Sequence, residues 1–299
     1  MIVQTALGRE KQLYRFLRRW WYAKDAEIDA WFTYKFDPKH MFLLLEDDQI
    51  VSCLQYAKRT LRYRGKNATA SVIELALTAQ DQRDQGYFKQ LLSAFCAKAS
   101  CNDLVSLVKT MTPKIFRGES LEPVAFIKEY TLPVSRIEEQ RFARTRKYRP
   151  AFDLYPLYQK FIRHFDGSIV LTRAQFENEL AYLHAARKKI DIMYDDHYEP
   201  NGLAIYTVHE HVIRIECLIY LNSDALESLF SNLSLISDKI YVRTSEHERL
   251  EKLYPNLKWR KKETVLARAN NPKLFATFSQ AEQNQAFKDL DRPMWFGLL

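Results

Sequence analysis

The sequence is poor in the residues that mark repetitive or membrane-spanning chains. Glycine occurs 7 times and proline 10 times in 299 residues, which argues against collagen-like and low-complexity proteins. No apolar run approaches the roughly 20 residues that a membrane-spanning helix needs. Arg9, Glu10 and Lys11 follow closely on Leu7, which is unlike a secretory signal. We therefore expect a cytoplasmic globular protein without a membrane segment.

Cysteine is also scarce, and its spacing points away from metal or disulfide chemistry. The chain has four cysteines, none in a C-x-x-C pair: Cys53, Cys96, Cys101 and Cys217. We expect all four to be buried, reduced thiols. His209 and His211 flank Glu210 but lack a third ligand at a metal-binding spacing, so we expect no metal site.

The composition is that of a globular chain with an excess of positive charge. Hydrophobic residues make up 47% and charged residues 27%, and the length suffices for two domains with separate cores. The formal net charge is +8. Such a charge suits nucleic acid, a membrane surface or a small polyanion, and it does not choose among them.

Residues 72–97 combine a strand, a polar turn and a helix in direct succession. Val72–Thr78 alternates in polarity like a strand, and a helical period follows the turn at Phe88, Leu91, Leu92, Phe95 and Cys96. A helix that begins here presents unpaired backbone N–H groups and its positive dipole end to the tip of the strand. Gly86 lets an anion approach the backbone, so the turn predicts a phosphate site.

The remaining patterns predict two similar halves joined by a basic linker. In the first half we predict helix in residues 9–31 and strands at 41–45, 50–64, 104–109 and 124–132. The segment Arg141–Pro150 is basic, has no apolar period and ends in proline, which places a domain boundary there. The predicted domains are 1–140 and 150–268, followed by a tail at 269–299.

The second half repeats the order of the first. We predict helices at 152–164, 173–183 and 223–234, and strands at 167–171, 190–194, 202–208, 212–221 and 239–244, the last of these being the final strand. Thr172 and Ser223 are the expected helix caps. The predicted class is α/β (α+β), with each domain a mixed, mostly antiparallel sheet flanked by helices. The second domain has no Arg-x-x-Gly turn, so we expect no cofactor there.

The turn Arg83-Asp84-Gln85-Gly86-Tyr87-Phe88, with its strand and helix, resembles the acetyl-CoA diphosphate site of the GNAT (Gcn5-related) N-acetyltransferases. The order of the pieces over residues 1–275 is similar to the Eis-type (enhanced intracellular survival) acetyltransferases. In those, a catalytic GNAT domain precedes a ligand-free GNAT-like domain and a sterol-carrier-like domain. The supporting segments are residues 78–87, 154–173, 202–206, 214–216 and 265–268. Too few residues follow Arg268 for most of the third domain.

The resemblance implies acetyl transfer from acetyl-CoA to a primary amine in a direct ternary complex, by a protein that forms homo-oligomers. The backbone at Leu75, Ala76 and Leu77 would hold the acetyl group and pantetheine. The diphosphate would lie on the amides of residues 83–88, that is Arg83, Asp84, Gln85, Gly86, Tyr87 and Phe88. Glu74 is a candidate base, and its alternative is an ordinary ion-paired strand carboxylate. In the family the C-terminal carboxylate serves as base, which here would be that of Leu299.

Three positions depart from the family pattern. Asp84 stands where glycine is favoured, and Phe88 stands where glycine or alanine is usual. The general-acid tyrosine position holds Ile127, so either Tyr130 or Phe126 takes its place. Loss of a general acid costs about 10²–10⁴ in rate, so a catalytically degenerate CoA-binding or scaffold protein is the alternative. A third alternative is a nucleic-acid-binding module that uses residues 141–149 and the Trp20–Trp21 region. We do not expect nucleic acid to be a ligand.

Overall fold

The computed structural model describes residues 2–116, 118–138, 144–280, 287, 290 and 292–298. In the first half the strands are β1 Ile2–Thr5, β2 Met41–Glu46, β3 Gln49–Tyr63, β4 Lys66–Thr78, β5 Val105–Thr110 and β6 Glu122–Pro133. The helices are α1 Glu10–Trp20, α2 Asp25–Tyr34 and α3 Tyr87–Asn102. The predicted order of strands, turn and helix in this half is confirmed.

One helix prediction in this half is wrong. Residues 9–31, predicted as helix throughout, form α1 and α2 with a break between Trp20 and Asp25. Trp21 ends α1 in an extended conformation, and Lys24 is extended before α2 begins. The break turns the chain so that both helices bury apolar side chains, Leu13 and Leu17 from α1 and Trp31 from α2.

The second half repeats the same succession of elements. Its strands are β7 Thr145–Lys147, β8 Ser168–Val170, β9 Lys189–Tyr194, β10 Pro200–His209, β11 Val212–Tyr220, β12 Lys239–Ser245 and β13 Trp259–Ala269. Its helices are α4 Tyr155–Ile162, α5 Arg173–Ala185, α6 Ser223–Ser234 and α7 Pro272–Ser279. Residues 239–244 were predicted as the final strand, which is wrong because β13 follows.

The two predicted helix caps have different outcomes. Thr172 caps α5 as predicted. Its hydroxyl oxygen accepts from the Gln175 backbone amide, and the Gln175 side-chain oxygen accepts from the Thr172 backbone amide, which together form a capping box. Ser223 does not cap α6. The cap is the preceding residue, Asn222, whose side-chain oxygen accepts from the Ala225 amide at 2.9 Å.

The strands form one continuous mixed sheet across both halves. Its order is β1-β2-β3-β4-β5-β13-β6-β12-β11-β10-β9-β7, with β8 paired to β3. The pairs β4–β5 and β11–β12 are parallel, and the other described pairs are antiparallel. The last strand of each half is exchanged: β13 lies beside β5, and β6 lies beside β12. The predicted mixed α/β class is confirmed. The two-domain division stays a prediction, because residues 139–143 lie outside the described residues.

Helices cover both faces of this sheet. Neighbouring residues of a strand point to opposite faces, and Val72 belongs to a core cluster with side chains of α1, α2, α4 and α5. Ile73 belongs to a second cluster under α3, and a third cluster lies under α6. The sheet therefore separates α3 and α6 from the other five helices, since Phe275 of α7 also belongs to the first cluster.

The cysteine prediction is only partly right. Cys53, Cys96 and Cys217 are buried free thiols, but Cys101 is exposed near the end of α3. Among the described residues, no cluster of three histidine, cysteine, aspartate or glutamate side chains has a metal-binding arrangement. None of the described helices has the length and apolar character needed to cross a membrane.

Candidate active site

A β-bulge at Glu74 opens the sheet between β4 and β5. On β3, Gln55 pairs with Leu75 and Tyr56 pairs with Ile73, so Glu74 is the extra residue. A bulge bends its strand and increases the local twist. The parallel pairing of β4 with β5 ends at Ile73 and Val108, the residues next to the bulge, although both strands continue. The strands part at this point and leave one edge of β4 facing a cleft.

The cleft at this opening lies between the two halves and has a volume of about 270 Å³. Its charged lining consists of Glu27, Glu74, Glu179, Glu216, Glu263, Lys35, Lys109, Lys188 and Arg243. Trp21, Trp31 and Tyr182 supply aromatic walls. These residues come from α2 and its flanks, from α5, and from the strands on both sides of the exchange. The site is therefore built jointly by both halves.

Ion pairs hold most of the cleft charges in place. Lys35 Nζ lies 2.8 Å from Glu179 Oε1 and also 4.6 Å from the centre of the Tyr182 ring. Arg243 Nη1 lies 3.7 Å from Glu263 Oε1. Burial lowers the pKa of Lys109, which favours its neutral form. The cleft thus combines paired carboxylates with an amine that has lost part of its affinity for a proton.

Glu74 itself is ion-paired with Arg59 and is only 8% exposed. Its carboxylate lines the cleft, which agrees with a position near a reacting group. Its pairing with Arg59 also matches the alternative interpretation of this residue as a structural carboxylate. The geometry is compatible with both roles, and the assignment as base stays a prediction.

The predicted diphosphate turn lies at the carboxyl end of β4. Gly86 is the N-cap of α3 with a left-handed backbone, φ +78°, and no described side chain caps this helix. A Cβ added to Gly86 meets no heavy atom of the described residues within 4 Å. Residues 83–86 are exposed, so the first amides of α3 face open space. Asp84 is also left-handed, with φ 65°.

The other predicted binding residues flank this turn. Leu75, Ala76 and Leu77 follow the bulge and pair only with β3 in the described ladders, through Gln55, Leu54 and Cys53. Tyr87 turns its hydroxyl to Glu46, 3.0 Å from Oε2. Phe88 meets Phe116 edge to face, with 5.2 Å between ring centres, and packs against the core cluster under α3. Leu75, Ala76 and Leu77 thus lie on β4 between the bulge and the turn, whereas Tyr87 and Phe88 begin α3.

A larger groove, about 1130 Å³, runs along α1 and reaches Asp81 and Gln82 at the start of the same turn. Arg9, Arg15 and Arg19 line it. It lies away from the point where β4 and β5 part. Its positive side chains raise the local concentration of anions near the turn.

Tyr130 does not lie with the other predicted residues. It is fully buried on β6 in the core under α6, and its hydroxyl donates to the Glu251 carboxylate. Burial, followed by that hydrogen bond, raises the pKa of Tyr130. Ile127 lies nearer to the cleft than Tyr130 does, because it lines a small cavity that shares Lys109 and Glu216 with the cleft. Phe126, the other alternative, stacks on Trp259 with ring centres 5.9 Å apart.

The segment 292–298 returns to the cleft. Trp295 is buried, and its amide donates to Ser168 Oγ at 2.7 Å. Lys109 Nζ donates to the Phe296 carbonyl at 3.2 Å. Gly297 and Leu298 line the cleft. Leu299, the predicted carboxylate base, lies outside the described residues.

Sequence reasoning missed the residues that the second half contributes to the cleft, including Glu216 and Lys188. Glu216 was noted only as part of a supporting segment, Arg214–Glu216. The signal that it shares with Glu74 is local: each glutamate follows an isoleucine inside a strand that precedes a helix. That signal is short, and only the structure shows that both residues face one cleft.

Comparison with protein-family models finds one match, in the first part of the chain. Residues 4–112 match the family model of the acetyltransferase (GNAT) domain. The matched residues contain the bulge, the point where β4 and β5 part, and the turn before α3. Acyl transfer is the class of reaction that this match indicates. No curated protein matches the chain.

Solved structures extend the GNAT fold over nearly the whole chain. A GCN5-related N-acetyltransferase from Anabaena variabilis is 14% identical, with a TM-score of 0.72 over 90% of this chain and 73% of that one. Eis1 from Mycobacterium abscessus is 12% identical, with a TM-score of 0.63 over 94% and 75%. Saccharomyces cerevisiae N-myristoyltransferase with bound myristoyl-CoA is 11% identical, with a TM-score of 0.61 over 90% and 78%. At these identities the likeness establishes the fold alone.

Proposed function

We propose that the protein transfers an acetyl group from acetyl-CoA to a primary amine in a direct ternary complex. The observation that carries this proposal is the opening of the sheet at Glu74, beside the exposed and uncapped start of α3. A thioester along the free edge of β4 and a diphosphate on the α3 amides fit one extended CoA molecule. The match of residues 4–112 to an acetyltransferase domain supports the same reaction.

The proposed binding residues divide the coenzyme into two parts. The amides of residues 83–88 hold the diphosphate, assisted by the helix dipole, and the backbone of residues 75–77 holds the pantetheine and the acetyl carbonyl. A charged lining disfavours a long apolar acyl chain, because packing hydrocarbon against charged side chains takes them out of water, which is costly. The small polar cleft therefore favours acetyl over longer acyl groups.

The chemistry requires a neutral amine nitrogen close to the thioester carbon. The nitrogen attacks the carbonyl carbon, the new C–N bond forms, the C–S bond breaks, and the CoA thiolate takes up a proton. Glu74 is the proposed proton acceptor, directly or through water, and the Leu299 carboxylate is the second proposed base. Tyr130 remains the proposed general acid. Its buried hydroxyl must leave Glu251 to take part.

A CoA-binding protein without turnover is the second candidate function. It is favoured by the position of Tyr130, whose hydroxyl lies in the core of the second half and not in the cleft. In that case the turn and the free edge of β4 would still bind CoA, but no phenol would protonate the leaving thiolate. Homo-oligomer formation, implied by the resemblance, stays a prediction for either function.

Two measurements separate these candidates. Calorimetry with acetyl-CoA and CoA tests binding, and release of free thiol from acetyl-CoA, with a panel of primary mono-, di- and polyamines, tests transfer. Binding together with amine-dependent thiol release supports the acetyltransferase. Binding without thiol release supports the non-catalytic alternative. Absence of binding by the folded protein rejects both.

A further inference from the structure

A second bulge in the second half reproduces the geometry of Glu74. On β10, Ile205 pairs with Cys217 and Tyr206 pairs with Ile215, so Glu216 is the extra residue of β11. The parallel pairing of β11 with β12 ends at Ile215 and Val242, next to that bulge. Glu216 thus has in the second half the position that Glu74 has in the first.

The residues that follow the last parallel pair also correspond. Lys109 follows Val108 on β5, and Arg243 follows Val242 on β12. All four charged residues, Glu74, Lys109, Glu216 and Arg243, line the one cleft between the halves. Strand exchange brings the two openings face to face. The half that lacks the diphosphate turn therefore still contributes its bulge carboxylate to the cleft.

The two bulge carboxylates differ in access. Glu74 is 8% exposed and is fixed by Arg59, whereas Glu216 is 31% exposed. The partner of Glu216 is Lys188, whose Nζ lies 3.2 Å from Oε1. Lys188 is itself a primary ammonium on a flexible chain. The pair shows that a primary ammonium fits against Glu216 at hydrogen-bond distance from within the cleft.

We infer that Glu216 binds the ammonium of the acceptor amine and holds it beside the free edge of β4. This inference rests on the proposed function and names the residue that recognises its second substrate. The acceptor displaces Lys188 from Glu216, because both offer the same chemical group to one carboxylate. Trp21, Trp31 and Tyr182 line the same cleft, and Lys35 already lies over the Tyr182 ring, so the cleft accommodates a cation against an aromatic face. The expected substrates are primary amines that are cationic at neutral pH.

Opposite effects of two substitutions test this assignment. Glu216→Gln removes the carboxylate, and we expect the KM for the amine to rise about 10- to 100-fold, the loss typical of a charge-assisted hydrogen bond. Lys188→Met removes the internal competitor, and we expect the KM for the amine to fall. The KM for acetyl-CoA stays unchanged in both variants. Glu210→Gln, on an 85% exposed side chain in the β10–β11 turn, is the control.

A purely structural ion pair gives a different result. If Glu216 and Lys188 only stabilise the fold, both variants change activity in the same direction and the KM for acetyl-CoA changes as well. That result overturns the inference, as does an unchanged KM for the amine in Glu216→Gln. Glu216→Asp keeps the charge and should restore part of the amine affinity.

The inference is also testable if turnover is absent. Calorimetry with spermidine, a polyamine with primary ammonium groups, measures acceptor binding to the full chain without acetyl-CoA. We expect Glu216→Gln to weaken spermidine binding and Lys188→Met to strengthen it. If the wild type does not bind acetyl-CoA, the proposed function is rejected. If the wild type binds spermidine and Glu216→Gln binds it with the same affinity, this inference is rejected. Absence of both amine turnover and spermidine binding also rejects it.

Discussion

Gly86 and Gly65 have nearly the same backbone conformation in very different places. Gly86 precedes α3 with φ +78°, and Gly65 lies between β3 and β4 with φ +72°. A Cβ has open space at both positions among the described residues, so alanine brings the same strain of about 1–2 kcal/mol to each. The two glycines therefore separate the effect of backbone strain from the effect of position.

Gly86→Ala should weaken acetyl-CoA binding at least tenfold, because the strained turn no longer presents the α3 amides to the diphosphate. Gly65→Ala should lose the same stability and keep its affinity for acetyl-CoA. Calorimetry measures the affinities, and urea unfolding measures the stabilities. Equal affinity losses in the two variants would show that the turn before α3 is not the diphosphate site.

Glu248 gives a pH-dependent stability with a defined sign. Burial raises the pKa of its carboxyl above the ordinary value of 4.5, although the Ser245 amide and the Tyr220 hydroxyl donate to it. The folded state therefore keeps a proton that the unfolded chain releases. The free energy of unfolding should fall as the pH rises above 4.5 towards the raised pKa. In Glu248→Gln this contribution is absent, so urea unfolding at several pH values should show a smaller fall. Parallel pH curves for both proteins contradict this prediction.

At the residue scale, the sequence predicted the turn but not the bulges. Gly86 is recognisable because it stands between a strand pattern and a helix pattern. The extra residue of a bulge is not recognisable in a strand whose neighbours are apolar on both faces, and the isoleucine–glutamate pair at Glu74 and Glu216 is too short to mark one. Whether Tyr130 or Ile127 faces the cleft depends on which strands flank β6, which the local sequence does not encode.

At the scale of single elements, the start of helix α6 has two adjacent residues that could serve as its N-cap, and only one of them makes the capping hydrogen bond. Asn222 accepts from the Ala225 amide, and Ser223 is the first residue of the helix. Asn222→Ala should destabilise the protein by about 1 kcal/mol, the usual cost of a lost cap. Ser223→Ala should stay within about 0.5 kcal/mol of the wild type. Urea unfolding measures both, and a larger loss for Ser223→Ala would reverse the assignment.

The returning segment 292–298 contributes a second element-scale prediction. Trp295 is buried against Phe161 at 5.2 Å between ring centres, whereas Trp259 on β13 is 46% exposed. Trp295→Ala should cost about 3–5 kcal/mol, the range for a buried aromatic ring. Trp259→Ala should cost much less. Thermal or urea unfolding measures both losses. A loss of stability in Trp295→Ala as small as that in Trp259→Ala would mean that this segment adds little to the fold.

Elements with strong local patterns were predictable, and those set by distant contacts were not. Helix α3 was recognisable from its apolar period after a turn, and the predicted limits of α5 and α6, 173–183 and 223–234, fall close to the observed ones. Strand β13 was missed because its first residues, Trp259–Glu263, are mostly charged. They form a strand because they pair with β6, which is distant in sequence and which a local pattern does not reveal.

At the scale of the whole molecule, the strand exchange links the stability of the two halves. Residues 1–140 alone lack β12 and β13, so β5 keeps only β4 as a neighbour and β6 loses pairing on both sides. We expect this fragment to be unfolded or aggregated when it is produced alone, and the full chain to unfold in one cooperative transition. Circular dichroism of the fragment and calorimetric melting of the full chain measure this. A soluble, cooperatively melting fragment would show that the first half is independent.

The place of β13 also has a consequence for synthesis on the ribosome. Strand β5 ends at Thr110, but β13, which pairs with one of its edges, begins only at Trp259. Translation adds about 5–20 residues per second, so this edge of β5 stays unpaired for on the order of ten seconds before β13 has been synthesised. Through that interval the nascent protein carries a site for misdirected pairing, and its yield in the cell should depend on the chaperones that meet it there.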